Sequence, residues 1–257
     1  MTILNWAGQV AIVSGGASGL GAATAERLAA DGLKVAIFDL NTDAGTAHAA
    51  TIGGHYVRVD VSDPASVSAG IAEVVQTLGV PRVMVNCAGI AGAAKTVSRG
   101  QAHDPALFEK IIRVNLIGSF NCASQAAAQM VAADPVDADG ARGVIVNTAS
   151  VAAFDGQIGQ LAYAASKGGI VGMTLPMARD LADKGIRVCT IAPGLFLTPL
   201  LEGLPQEVQD SLGAQVPFPS RLGKPEEYAD MVSQITRNPM LNGEVIRLDG
   251  AIRMAPR

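Results

Sequence analysis

The class this sequence predicts is a doubly wound α/β fold: one seven-stranded parallel sheet with helices on both faces. Three observations predict it. Short β-branched runs alternate regularly with helix-forming segments from Val10 to Leu248. The runs are apolar throughout, as strands buried on both faces are, and parallel strands need crossovers that are most simply helices. The first run ends in a glycine-rich turn that leads straight into a helical segment.

In chain order, Val10–Val13 reads as the first strand and Ala22–Ala30 as a helix of strong formers with small residues on one face. Lys34–Phe38 is the second strand and Thr42–Thr51 a weaker, Ala-rich helix. His55–Val59 is the third strand, and Pro64–Leu78 a helix with proline at its first position, where the missing N–H has no intrahelical partner to lose. Arg82–Asn86 is a strand, Pro105–Ala132 a long helix in two pieces, and Gly143–Thr148 a strand. Leu161–Asp183 reads as a helix, Arg187–Ile191 as a strand, Pro225–Thr236 as a helix and Glu244–Leu248 as the last strand. Two stretches, near 90–104 and 196–221, exceed ordinary connections and are candidate substrate loops. The polar insertion Ala133–Gly143 reads as a surface loop.

Composition narrows the function classes. With 49% apolar and 16% charged residues the chain buries a large core, and no linker interrupts it, so residues 1–257 are expected to form a single domain. Nineteen Lys and Arg against twenty-three Asp and Glu leave a net charge of -4, without the basic field that nucleic acid requires. No apolar run approaches the ~18 residues of a membrane-spanning helix. The start, MTILNWAGQVAIVSGG, has neither a basic signal region nor an Arg-rich transit pattern, and the expected compartment is the cytoplasm. Cys87, Cys122 and Cys189 are odd in number and far apart, which suits neither disulfides nor a CxxC metal site. His48, His55 and His103 share no ligand spacing, so no metal is expected.

The strand ends carry the chemistry, because ligands of this fold bind beyond the carboxyl ends of the strands. In Ser14-Gly15-Gly16-Ala17-Ser18-Gly19-Leu20-Gly21 the glycines permit a tight turn and close backbone approach, leaving amide donors at a helix N-terminus for a pyrophosphate. Asp39 ends the second strand, where a carboxylate accepts both hydroxyls of an adenosine ribose and repels a 2′-phosphate. Neither Gly16 nor Leu40 supplies a neutralising cation, so NAD is favoured over NADP. Asp60 and Val61 end the third strand, and Asn86-Cys87-Ala88-Gly89 the fourth, at the same rim.

Tyr163 and Lys167, four apart in a helical segment, lie one turn apart on one face. A phenol titrates near ~10; a nearby ammonium favours the phenolate and makes Tyr163 a usable base. Ser150, at the end of the fifth strand, is placed to hold the reacting oxygen while Tyr163 takes the alcohol proton. Asn115 interrupts the long helical stretch, and its residue type alone assigns it no role.

With these residues in place the chain resembles the short-chain dehydrogenase/reductase family, from about Gln9 to the C-terminus. The resemblance implies a single-domain Rossmann fold in which Gly15, Gly19 and Gly21 are cofactor glycines and Asn86–Gly89 a sheet-stabilising turn. It implies a catalytic tetrad of Asn115, Ser150, Tyr163 and Lys167, and a nicotinamide-side loop of Pro193, Gly194 and Thr198. For Asn115 it implies a helix distortion whose carbonyl places a water beside Lys167. Ser14 stands where the family usually has Thr, and Cys87 where it has Asn or Ala. Longer segments, among them NTASVAAFDGQIGQ, PFPSRLG and LNGEVIRLDGAIRM, resemble a branch of the family that interconverts L-3-hydroxyacyl-CoA and 3-oxoacyl-CoA with NAD. The resemblance also implies a homotetramer built through the Tyr163 helix, the long helix before it and the C-terminal strand.

Phe196-Leu197-Thr198-Pro199-Leu200-Leu201 is too apolar for a sugar site and suits an acyl chain or a steroid face. Leu200 and Leu201 equally suit packing of the loop onto the body. Phe154, Gln157 and Gln160, between Ser150 and Tyr163, are expected to border the reacting carbonyl, and Lys95 and Arg99 to meet a CoA phosphate. The small residues Ala164, Ala165, Gly168, Gly169 and Gly172 require close packing, against the sheet or against another subunit. The nearest alternative activity is a hydroxysteroid or other secondary-alcohol dehydrogenase. A nucleotide sensor would not need both Tyr163 and Lys167, and a methyltransferase has no use for their spacing with Ser150.

Overall fold

The computed structural model describes residues 4–256, except for the side chain of Leu200. The first half runs β1 (Val10–Ser14), α1 (Gly19–Ala30), β2 (Lys34–Asp39), α2 (Thr42–Ile52), β3 (His55–Arg58), α3 (Pro64–Thr77) and β4 (Pro81–Asn86). A short hairpin, β5 (Val97–Ser98) and β6 (Gln101–Ala102), precedes α4 (Pro105–Ile112), a π-helical turn at Arg113–Ile117, and α5 (Gly118–Val131). Then come β7 (Gly143–Thr148), α6 (Leu161–Asp180), β8 (Ile186–Pro193), α7 (Pro199–Glu202), α8 (Gln206–Gly213), α9 (Pro225–Arg237) and β9 (Val245–Leu248).

The main sheet has seven strands in the order β3-β2-β1-β4-β7-β8-β9, every neighbouring pair parallel. The winding direction reverses between β1 and β4, which opens the crevice at their carboxyl ends. Successive strand residues feed opposite cores, the reason the runs read as continuously apolar. Ala11 and Val13 join Leu28 of α1 and Val232 and Ile235 of α9 on one face. Val10 and Ile12 join Val67 and Ile71 of α3 and Ala126 and Met130 of α5 on the other.

Local chemistry sets the helix ends. Asp63 and Asp104 cap α3 and α4 by accepting from the amides of Ala65 and Ala106, each followed by proline in the first turn. Arg187, buried in β8, ties down the end of α9 by donating to the carbonyls of Ile235, Thr236 and Leu241 at 2.7–2.9 Å.

The elements differ from expectation mainly at their ends. The first helix begins at Gly19 rather than Ala22, so its free amides lie within the glycine turn itself. The helix carrying Tyr163 stops at Asp180, and a 3₁₀ turn, Ala182–Lys184, with Gly185 at φ 69°, turns the chain into β8. The expected loop near 196–221 carries the two short helices α7 and α8, and the loop near 90–104 carries the β5–β6 hairpin. The long helical stretch is in three pieces rather than two, because the π turn lies between α4 and α5.

Candidate active site

The glycine turn closes tightly because side chains are absent. Gly15 has φ 67°, and a Cβ there would come within 2.7 Å of the Ala88 backbone. A Cβ on Gly21 would collide with the carbonyl of Gly15. Asp39, at the end of β2, faces this turn: Oδ2 accepts from the amide of Ala17 at 3.1 Å and Oδ1 from that of Asn41 at 3.0 Å. The loop after β8 crosses the same place, with Pro199 and Thr198 against Gly19. Ser18, Gly19 and Leu20 open α1 and meet Thr198 there, while Pro193 ends β8 and Gly194 packs on Asp249. A backbone-lined cradle beside a carboxylate fits a dinucleotide pyrophosphate and ribose.

The rim residues divide into two kinds. Asp60 directs Oδ1 to the amide and hydroxyl of Ser62, and Val61 packs on Gly118 while its carbonyl accepts from Asn121. Asn86 is buried, and its amide nitrogen donates to Asn147 Oδ1 at 2.9 Å and to the Ser119 carbonyl at 3.3 Å, locking β4 to β7. Ala88 and Gly89 continue from it toward Asn115: a Cβ on Gly89 would lie 3.3 Å from Asn115 Oδ1 and 3.7 Å from Lys167 Nζ. The missing side chain of Gly89 thus leaves room for two members of the expected tetrad.

Asn115 sits fully buried in the π turn. Its side chain grips the main chain of Ile90 in both directions, accepting from the amide at 2.8 Å and donating to the carbonyl at 2.9 Å. It also donates to Ser166 Oγ at 3.1 Å, joining the π turn to α6. The Asn115 carbonyl accepts from Ser119 Oγ at 2.7 Å, so in this structure it is already engaged by a side chain. π turns cluster at functional sites because the extra residue redirects one side chain out of the helical register.

Ser150 lies close enough to Tyr163 for its hydroxyl to act on the ionisation of the phenol. Ser150 follows β7 in extended conformation, and its Oγ also accepts from the amide of Ala152 at 3.1 Å, which fixes its rotamer. Burial pushes the Tyr163 phenol above its ordinary pKa, and the Ser150 hydroxyl beside it offsets part of that rise. Lys167 is buried, with Nζ 5.7 Å from the centre of the Tyr163 ring and donating to the Thr148 carbonyl at 2.8 Å. Desolvation lowers its pKa to about 8. A hydroxyl donor, a phenol and an ammonium side by side can move a proton to or from an oxygen and steady the charge left behind.

The expected substrate residues are placed unevenly. Lys95 is exposed just before the β5–β6 hairpin, and Arg99 is exposed in its turn at φ 51°. Phe154 is half exposed, with the Arg247 guanidinium over its ring at 5.3 Å. Gln160 Oε1 accepts from the amide of Gln157, and the Gln157 side chain donates to the Ala255 carbonyl, so both amides hold the local backbone. The ring of Phe196 turns inward, edge-on to Tyr228 at 6.5 Å, which commits it to the core. Leu201 is half-buried, and the side chain of Leu200 lies outside the described residues.

Sequence reasoning missed three participants. The Thr148 carbonyl holds Lys167, yet a main-chain acceptor leaves no residue signature. Tyr228, on α9, reaches Thr148 Oγ1 at 2.6 Å and Cys87 Sγ at 3.8 Å behind the lysine, and burial pushes the Cys87 thiol up. Arg247 reaches the segment after Ser150 from β9. Among the described residues, no three His, Cys, Asp or Glu side chains group to hold a metal ion, and no helix is long and apolar enough to cross a membrane.

Comparison with known proteins adds four findings. The family model described as short chain dehydrogenase matches residues 9–209. The chain is 55% identical to the 3-hydroxyacyl-CoA dehydrogenase type-2 of Homo sapiens over 97% of both chains. With the same enzyme of Drosophila melanogaster it shares 53% identity over 96% of this chain and 98% of that one. The crystal structure of 3-hydroxyacyl-CoA dehydrogenase type-2 from Mycobacterium avium superposes with a TM-score of 0.93 at 46% identity, covering 97% of this chain and 98% of that one. Fold, site geometry and sequence agree, and the chain belongs to the short chain dehydrogenases, a family of oxidoreductases.

Proposed function

We propose that this chain is an NAD-dependent dehydrogenase that interconverts L-3-hydroxyacyl-CoA and 3-oxoacyl-CoA, with Tyr163 as the general acid and base. One observation carries the reading: relatives 53–55% identical along nearly their whole length are named for this activity, and this chain keeps Ser150, Tyr163 and Lys167 together. The whole chain acts as one domain, with substrate loops near 90–104 and 196–221.

In the reducing direction Ser150 donates a hydrogen bond to the 3-oxo oxygen, and the Tyr163 hydroxyl gives that oxygen its proton. The Lys167 ammonium, 5.7 Å from the ring centre, then stabilises the phenolate that remains. In the oxidising direction the phenolate takes the proton back. Asn115 keeps the Ile90 backbone and α6 in register, so that Lys167 stays beside Gly89. When bound, a nicotinamide coenzyme supplies or accepts the hydride.

The residues proposed to hold that coenzyme are the glycine turn with Ser18 and Leu20, Asp39, Asp60, Val61, Asn86, Ala88, Gly89, and the loop of Pro193, Gly194, Phe196 through its main chain alone, and Thr198. Asp39 supports NAD over NADP, because a 2′-phosphate would bring two negative groups together with only Leu40 alongside. Lys95 and Arg99, exposed on the loop near 90–104, are proposed to meet a CoA phosphate. The assembly proposed is a homotetramer: Ile117, Phe120 and Leu175 are exposed on the long helical stretch and α6, and Gly168 and Gly172 face open space. Gly169 instead packs on Leu116 within the chain. Cys122 and Cys189 are free and buried, which suits a reducing compartment such as the cytoplasm.

The test is NADH oxidation by the purified chain with acetoacetyl-CoA, a short free ketone and a ketosteroid. The thioester is expected to lead the free ketone by about 100-fold in kcat/KM, the remote CoA contacts being used in the transition state. Equal rates on the free ketone, or a preference for the steroid, would contradict the reading.

A further inference from the structure

The end of the chain holds the segment joining Ser150 to Tyr163 from outside. Arg247 Nη2 donates to Asp155 Oδ2 at 2.6 Å, and Nε donates to Asp249 Oδ2 at 2.7 Å. Nη2 also reaches the Ile252 carbonyl at 2.9 Å, and the guanidinium lies over the Phe154 ring at 5.3 Å. Beyond this point the tail closes on the same segment. The Ile158 amide donates to the Pro256 carbonyl, and Gln157 Nε2 to the Ala255 carbonyl, both at 3.0 Å.

These are not loose surface pairs. The Arg247 and Asp155 side chains are 20% and 18% exposed, and that of Asp249 only 7%. A planar guanidinium with a fixed fork of donors serves two carboxylates, a carbonyl and an aromatic face at once, which an ammonium cannot do. Hydrogen bonding from Arg247 holds the Asp155 carboxyl below its ordinary pKa.

We propose that Arg247 is a positioning residue for the thioester: by clamping Phe154 and Asp155 to the C-terminal segment 249–256, it shapes the wall between Ser150 and Tyr163. The inference rests on the reading that Ser150 and Tyr163 flank the reacting carbon. Both groups are anchored independently of the clamp, Ser150 at the end of β7 and Tyr163 in α6. Loosening the clamp therefore moves the wall more than the reacting groups, and its signature is a change in KM with kcat preserved.

Asp155→Asn and Arg247→Lys test this, the first leaving the Arg247–Asp249 pair to keep the tail folded. In both, the KM for acetoacetyl-CoA is expected to rise about fivefold to tenfold, with kcat and the KM for NADH within about twofold of the parent. Hydrogen exchange at the Ile158 amide is expected to accelerate about tenfold or more in both variants. Exchange reads the clamp without turnover, so it stays decisive even if the parent does not reduce acetoacetyl-CoA. Unchanged exchange at Ile158, an unchanged thioester KM in an active enzyme, or a parallel loss of kcat and NADH affinity would overturn the proposal.

Discussion

The ammonium of Lys167 donates to the carbonyl of Thr148 at 2.8 Å, and this one hydrogen bond keeps a cation inside the protein next to the Tyr163 ring. Burial lowers the lysine pKa from 10.5 to about 8, so the folded protein resists the charge that its proposed chemistry needs. Between pH 8 and 10.5 the unfolded chain holds this proton more tightly than the folded one, and this group's contribution to stability rises with pH.

Lys167→Met is therefore expected to stabilise the protein while abolishing turnover. Below pH 8 relief of the desolvation penalty favours the variant, offset in part by the Thr148 carbonyl left without its donor, and the advantage shrinks as the pH approaches 10.5. Thermal melting of parent and variant at pH 7 and pH 10 checks this. A variant less stable than the parent at pH 7 would show that the ammonium contributes net stability where it sits.

Asp39 is expected to control coenzyme choice. In the double substitution Asp39→Ser with Leu40→Arg, loss of charged hydrogen bonds to the ribose raises the KM for NAD about tenfold or more. The new guanidinium, at a position 53% exposed, makes NADP a usable coenzyme. Initial rates with both coenzymes decide it; an unchanged NAD preference would place the discrimination elsewhere.

Arg187 is expected to govern stability without touching turnover. Arg187→Met leaves the carbonyls of Ile235, Thr236 and Leu241 without their donor and costs about 3 kcal/mol. The melting temperature should fall by roughly 6–12 °C, while the KM for NADH at 20 °C stays within about twofold of the parent. A melting temperature unchanged from the parent would mean that water replaces the guanidinium at the end of α9.

Legibility followed the kind of signal each feature carries. The inner strands were readable because they are buried on both faces and so are largely apolar, whereas the partly buried edge strands β3 and β9 followed from the alternation of strands with helices. Tyr163, Lys167, Ser150 and Asp39 were readable because their chemistry lies in side chains at fixed offsets from helix or strand ends. Asn115 was not assignable from its type, since its partner is the backbone of Ile90, 25 residues earlier. The grip on Lys167 is a carbonyl, which any residue possesses. Arg247 meets Asp155 across 92 residues, and no local pattern announces such a pair. Gln157 and Gln160 were singled out because they lie between two reactive groups, while the part their amides play in shaping the loop has no sequence signal.

The most direct test of the central claim is the rate of NADH oxidation on acetoacetyl-CoA in Tyr163→Phe, measured beside NADH binding by fluorescence. Loss of the acid should lower kcat by about 10²–10⁴-fold, with NADH affinity within about threefold of the parent. A variant that binds NADH normally and still turns over at the parent rate would contradict the assignment of Tyr163 as the proton donor.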